Sequence, residues 1–179
     1  MYDGAPLSAN RASARDKHGN ALTVEYSLDG KTWESDPTAI TATNVSDSAT
    51  VQLRATGPNY AEGQYATSSE RVDVTVRFVT LTSKGANKKY DGTPLTRNAQ
   101  SDVTVGGAGF VDGEGATYNI TGSQTLAGES FNEFTYTLNE GTLEENYFIV
   151  CSFSKLIVTA DDTEVVVTIT EHSGTYTYD

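Results

Sequence analysis

Cysteine is nearly missing from this chain of 179 residues, with Cys151 standing alone. A single cysteine excludes any disulfide within the chain, the usual staple of small secreted domains, so the folded units must hold by their cores. Histidine is almost as scarce: His18 and His172 are isolated, with no Cys/His spacing for a zinc set, and both are expected in turns or on the surface. Basic residues are outnumbered two to one, 12 Lys and Arg against 24 Asp and Glu, giving a net charge of −12 and a pI near 4.4. Such a surface repels phosphate backbones, whose binding relies on Lys/Arg neutralisation, and anionic lipid headgroups as well. Nucleic acid and direct membrane contact are therefore excluded as expected partners. No apolar run nears the roughly 20 residues that span a bilayer. No basic-then-apolar leader is present either, so any secretion signal is expected outside this sequence. Helical periodicity is absent throughout. Hydrophobic residues make up 37% of the chain and the mean hydropathy is −0.40, which suits a soluble protein with modest cores.

What the sequence does hold is a repeat. Tyr90-Asp91-Gly92-Thr93-Pro94-Leu95-Thr96 restates Tyr2-Asp3-Gly4-Ala5-Pro6-Leu7-Ser8, and Tyr178-Asp179 begins the phrase again, at a spacing of 88 residues. Asn59-Tyr60 recurs as Asn146-Tyr147, and Val79-Thr80-Leu81-Thr82 recurs as Val167-Thr168-Ile169-Thr170. Solenoid repeats run about 20–50 residues, whereas this period is close to a whole immunoglobulin-like sandwich. The expected division is repeat one over 1–77, repeat two over 78–162, and the opening strand of a third repeat over 163–179.

Within each repeat the pattern is that of short strands and turns. Leu22–Leu28 alternates apolar and polar, Asp29-Gly30 reads as a two-residue hairpin turn, and Lys31–Glu34 as the start of the returning strand. Thr50–Thr56 and Val72–Val76 alternate in the same way. Lys84–Lys89 reads as a turn ahead of the central Tyr-Asp-Gly. Val103–Val105, Ala116–Thr121 and Phe131–Leu138 are strand-like, and Tyr147–Val158 is the longest apolar run, whose inward parity must shift near Ser152–Ser154 through a bulge or bend. The fold class expected is all-β: two tandem Ig-like β-sandwiches end to end, plus the orphan strand. Arg77 and Phe78 join the units with almost no linker, which restricts bending.

The residues that carry chemistry elsewhere are thin here. Trp33 is expected to pack on its own sheet, with an exposed sugar platform as the alternative. Cys151 is expected as an inert core thiol. Gly106–Gly109 lacks the strand-then-helix setting of a dinucleotide site. The acidic pairs Asp112/Glu114, Glu144/Glu145 and Asp161/Asp162 follow no calcium-loop pattern and read as solvated turns. Asn44-Val45-Ser46 and Asn119-Ile120-Thr121 match the glycosylation acceptor pattern. Serines are plentiful without a nucleophile elbow. No catalytic, cofactor or metal residue is assigned, no ligand-binding residue can be named, and the chain is expected not to be an enzyme.

The repeated Tyr-Asp-Gly-x-Pro-Leu phrases, Tyr26–Trp33, both Asn-Tyr pairs, Asn119–Gln124 and the closing Leu156-Ile157-Val158 together resemble the YDG-type, or MBG-type, Ig-like repeats of large bacterial surface proteins. That resemblance implies a secreted, wall- or membrane-anchored, adhesin-like array facing an unknown host or surface ligand, protein or glycan, with no catalytic residues to carry over. It implies a structural stalk, with a glycan- or protein-binding module using exposed aromatics as the alternative. A Lys–Asn isopeptide link, which resembles one found in some Gram-positive surface domains, would need Lys84, Lys88 or Lys89 against Asn146. Repeat one has no counterpart of Phe78–Lys89, while the tail carries one. Segment 165–170 is therefore expected to pair, on repeat two or head to tail on a neighbouring copy.

Overall fold

In the computed structural model the chain is all-β, and the structure describes residues 1–179 except Gly63, Val166, His172, Ser173, Tyr176 and Asp179. Strands β1 (Leu7–Ser8), β2 (Ala14–Arg15), β3 (Ala21–Ser27), β4 (Thr41–Ala42), β5 (Ala49–Thr56) and β6 (Ala66–Val72) occupy the first part. The second part holds β7 (Arg77–Ser83), β8 (Ala86–Lys89), β9 (Leu95–Thr96), β10 (Val103–Gly107), β11 (Ala116–Ile120), β12 (Ser123–Gln124), β13 (Gly128–Phe131), β14 (Phe134–Leu138), β15 (Tyr147–Ser152) and β16 (Lys155–Thr159). The sheet orders are β1-β4 and β2-β3-β5-β6 in the first part, and β10-β7-β15, β13-β16-β8, β11-β14 and β9-β12 in the second. Among the described residues no ladder joins the two parts.

Both Tyr-Asp-Gly turns have one geometry. The Asp3 carboxylate accepts from Ala5 N at 2.9 Å and the Asp91 carboxylate from Thr93 N at 2.9 Å. Gly4 and Gly92 take φ of 81° and 79°, where a Cβ would be strained. Each tyrosine amide donates to a threonine carbonyl of the closing segment: Tyr2 to Thr75 at 2.7 Å, Tyr90 to Thr159 at 2.8 Å. A two-residue strand then follows, β1 or β9. At these two turns the sequence repeat is a repeat of backbone geometry.

Residues 77–159 are framed by their first and last strands running parallel. β7 pairs with β15 (Val79↔Ile149) and β8 with β16 (Val158↔Lys88), so both strands change sheets together, at Lys84-Gly85 and at Phe153-Ser154. The expected bend lies there, and Asn132 pins it. That side chain is fully buried; its amide donates to the carbonyls of Lys84 and Arg97, each at 3.0 Å, and its backbone N–H donates to Ser154 O at 2.8 Å. Turning Asn132 inward also splits the expected Phe131–Leu138 strand into β13 and β14. Val79 and Leu81, with no exposed surface, share one buried cluster with Tyr26, Val51, Tyr2 and Tyr147; this cluster runs through both parts.

Several expectations need correction. Asp29-Gly30 turns the chain, but its carboxylate takes the Lys31 and Thr32 N–H groups at 2.8 Å, so the returning strand shrinks to a Tyr26↔Glu34 bridge. Lys84–Lys89 is no turn: Ala86–Lys89 is β8, and Lys88 reaches on to Asp91 and Thr93. Val72 and Val74 are buried as the alternation implied, yet the ladder ends at Val72, for among the described residues no strand pairs with 73–76. Cys151 is exposed rather than core, because inward parity in β15 is spent on Tyr147 and Ile149 before the bend. The described residues of 165–170 form no strand, so pairing on the second part is not found; Val165 is 79% exposed.

The corner around Asn132 yields a direct check. A Cβ at Gly122 would sit 2.4 Å from the Asn132 Cα, so Gly122→Ala is expected to destabilise the chain by about 1–3 kcal/mol, the usual cost of overpacking. Asn132→Ala, which strips two buried carbonyls of their donor, is expected to cost about 1–3 kcal/mol as well. Denaturant unfolding measures both, and an unchanged midpoint in either variant would remove the corner from its structural role.

Candidate functional site

The densest polar constellation lies where the two parts meet. Arg77, half-buried, opens β7 with four residues between it and the end of β6. Its Nε donates to Gly109 O at 2.7 Å, one Nη to Ala108 O at 2.6 Å and the other to Tyr2 O at 3.3 Å. The planar guanidinium thereby joins two adjacent carbonyls of one loop to the carbonyl of Tyr2, with a geometry that lysine lacks. The glycine-rich loop makes this possible: Gly107 and Gly109 take φ of 71° and 69°, and Ala108 N donates to Phe78 O at 2.9 Å.

Beside Arg77 two buried tyrosines share one carboxylate. The Tyr2 hydroxyl donates to Glu114 Oε1, and the Tyr147 hydroxyl donates to Glu114 Oε2 at 2.8 Å while accepting from Val111 N at 3.1 Å. Their rings meet edge to face at 5.6 Å, and Phe110 closes on Tyr147 at 5.1 Å, within the range in which aromatic pairs attract. The Glu114 hydrogen bond, then burial, raises the Tyr2 phenol above its ordinary value. For Tyr147 burial leads, and the phenol is pushed up to about 12.

A third tie uses the repeated Asn-Tyr pair. Asn146 is fully buried; its Oδ1 accepts from Val45 N and its Nδ2 donates to Asn44 Oδ1, both at 2.9 Å. Ser46 Oγ donates to Glu145 alongside. Two short 3-10 turns, Val45–Asp47 and Glu144–Asn146, present these groups to each other. Gly4 also packs here, where any Cβ would lie 3.0 Å from Val111 Cγ1.

The sequence-nominated residues fall mostly elsewhere. Trp33 is half-buried under the Arg54 guanidinium, 4.3 Å from its ring centroid, with Tyr65 on the same guanidinium at 5.5 Å and Glu25 paired to it at 2.6 Å; that ring face is occupied by protein. Lys84 donates to Ser101 O, Lys88 to Asp91 and Thr93, and Lys89 to Asp162, so none of the three is bonded to Asn146. His18 sits exposed in a turn; His172 lies outside the described residues. Among the described residues no group of His, Cys, Asp or Glu could hold a metal. Tyr2 and Tyr147 stood out as members of the repeated Tyr-Asp-Gly and Asn-Tyr phrases, and Arg77 as a join without a linker, but none was nominated as a site residue, and Glu114 read as a solvated turn acid. No protein-family profile, curated protein or solved structure matches the chain.

The shared carboxylate gives a titration test. A solvent tyrosine ionises near 10, so the raised Tyr147 phenol contributes stability that is complete below about pH 10 and lost as pH climbs through about 12. Replacing Glu114 with Gln is expected to bring Tyr2 back toward the ordinary value while Tyr147, governed by burial, stays high. Ring-carbon NMR shifts followed against pH read both; a Tyr2 midpoint indifferent to the substitution would contradict the shared-carboxylate geometry.

Proposed function

We propose that the chain is a load-bearing spacer from a YDG/MBG-type repeat array of a bacterial surface protein, acting by mechanical reach without catalysis. In this proposal residues 1–77 and 78–162 are two Ig-like sandwiches in tandem, 163–179 opens a third, and the parent is extracellular, anchored by parts outside this sequence. The ligand that such an array would present itself to, protein or glycan, is carried by other regions or by surfaces that these repeats space apart.

One observation supports this above the others: the join between the parts is bonded, by Arg77 to three carbonyls, by Glu114 to two tyrosines and by Asn146 to Asn44 and Val45. A flexible linker would leave each unit free to reorient. A bonded join passes direction from one unit to the next, which is what a projecting stalk requires. The acidic surface suits crowded display, since like charge keeps neighbouring chains apart. Parallel first and last strands suit tension, because a pull along the chain must shear the β7–β15 and β8–β16 ladders as a whole.

Force spectroscopy on end-to-end joined copies tests this proposal. Two unfolding events per copy are expected, each releasing roughly 80 residues, or on the order of 250–300 Å of chain at full extension. A single event releasing the whole copy would contradict the two-unit division, and extension without force peaks would contradict the mechanical role.

A further inference from the structure

One sheet edge in the second part lacks the protection that its other edges have. β15 is the outer strand of β10-β7-β15, and among the described residues no strand pairs with its far side. Residues 147–154, which contain it, include no charge, proline or glycine. The other edges differ. β8 carries Lys88 and Lys89, β13 carries Glu129, and β10 ends in Gly106-Gly107, where Gly107 takes a φ of 71°. Charges and distorted ends of this kind keep an edge from pairing with another chain. β15 has neither before the bend that follows Ser152.

The outward face of this strand is apolar as well. Tyr147 and Ile149 turn toward the core, while Phe148 and Val150 are 58% and 40% exposed. Phe148 lies beside Phe78 of β7, itself 44% exposed, with 5.9 Å between ring centroids. Chain entering the unit at Arg77 lies beside Tyr147, at one end of β15, and chain leaving it departs beyond Thr159, at the far end of β16. The open side of β15 is therefore a lateral surface, set by the internal pairing with β7.

We infer that β15 pairs edge to edge with β15 of a second copy, antiparallel about a two-fold axis beside Ile149, joining two three-stranded sheets into one. A two-fold brings the same patch of both copies together, and a continuous face requires residues of like parity to oppose each other. With the axis beside Ile149, Phe148 of each copy stands opposite Val150 of the other. An aromatic against a β-branched side chain is a favoured cross-strand pair. Charge selects the occupant and its direction. Two chains of net charge −12 repel, so they meet best along a strip that carries none. A parallel neighbour would set Glu144 and Glu145 beside their own copies, whereas an antiparallel one sets them toward the end that carries Lys155. A strand of six residues buries less than a standard interface. One contact is therefore weak and gains by repetition between tethered arrays, as like-with-like lateral adhesion. That gain rests on the spacer proposal; the pairing itself does not.

Sedimentation equilibrium of the full chain from micromolar to millimolar tests this, with hydrogen exchange of the β15 amides read alongside. Average mass is expected to rise with concentration, and amides within Tyr147–Ser152 to gain protection as it does. Phe148→Glu and Val150→Lys, both at exposed positions, are each expected to abolish association, because across the two-fold each new charge meets its own copy on the diagonal. An equimolar mixture of these two variants is expected to restore a heterodimer, in which the introduced acid and base stand opposite. Thr104→Lys, exposed on β10 at the other edge of the sheet, is expected to associate as the wild type does. A wild-type chain monomeric throughout overturns the inference and leaves the edge to an extended peptide of another protein. Association that spares the β15 amides, that survives Val150→Lys, or that the mixture fails to restore overturns it too. Two force steps per copy with no association would remove the pairing alone; association with a single force step would remove the two-unit division alone.

Discussion

Everything in residues 77–159 depends on the first and last strands lying side by side and parallel. That pairing makes the unit close on itself, since β7 and β8 are held by chain about 70 residues later. It forces a shared bend, because two strands in register can change sheets only together. Asn132 stands at that bend because two carbonyls freed there need a buried donor. The Tyr-Asp-Gly turn follows from the same constraint. The chain leaving β8 must be fixed to the end of β16, and the Tyr90 amide does so before Gly92 reverses direction.

The join is a consequence of this closure rather than an addition to it. A closing strand that runs parallel to the opening strand ends where that strand ends, at the pole away from the preceding part. The next residues can open a new strand without a linker, as Arg77 does after Val72–Thr75. Polar side chains near the boundary are then partly or fully buried between the two parts. Arg77, Glu114 and Asn146 are tolerated there because each has its hydrogen bonds met.

The sequence made the repeat and most strands legible, because period-two alternation and Asp-Gly turns are local signals. β3, β5, β10 and β11 lie where the alternation put them. Failures came where a partner distant in sequence decides. Ala86–Lys89 looks like a lysine-rich turn until β16 is placed beside it, and Cys151 looks buried until the bend after Ser152 is known. Asp29 reads as a hairpin residue, yet its carboxylate competes for the N–H groups that a hairpin would use. Glu114 sits in a glycine-flanked acidic turn that nothing local separates from a solvated one; its two phenol partners are 112 and 33 residues away. Asn146 was visible as half of a repeated pair, but its role depends on Asn44 across the join.

The central claim is that the two parts are held in one fixed relation by buried bonds at Arg77, Glu114 and Asn146. Residual dipolar couplings of the full chain in dilute, weakly aligned solution measure that relation directly. One alignment tensor is expected to fit the amides of 1–76 and 77–159 together, and to separate into two when Arg77 is replaced by Ala and Glu114 by Gln. Two independent tensors in the unmodified chain would contradict the account.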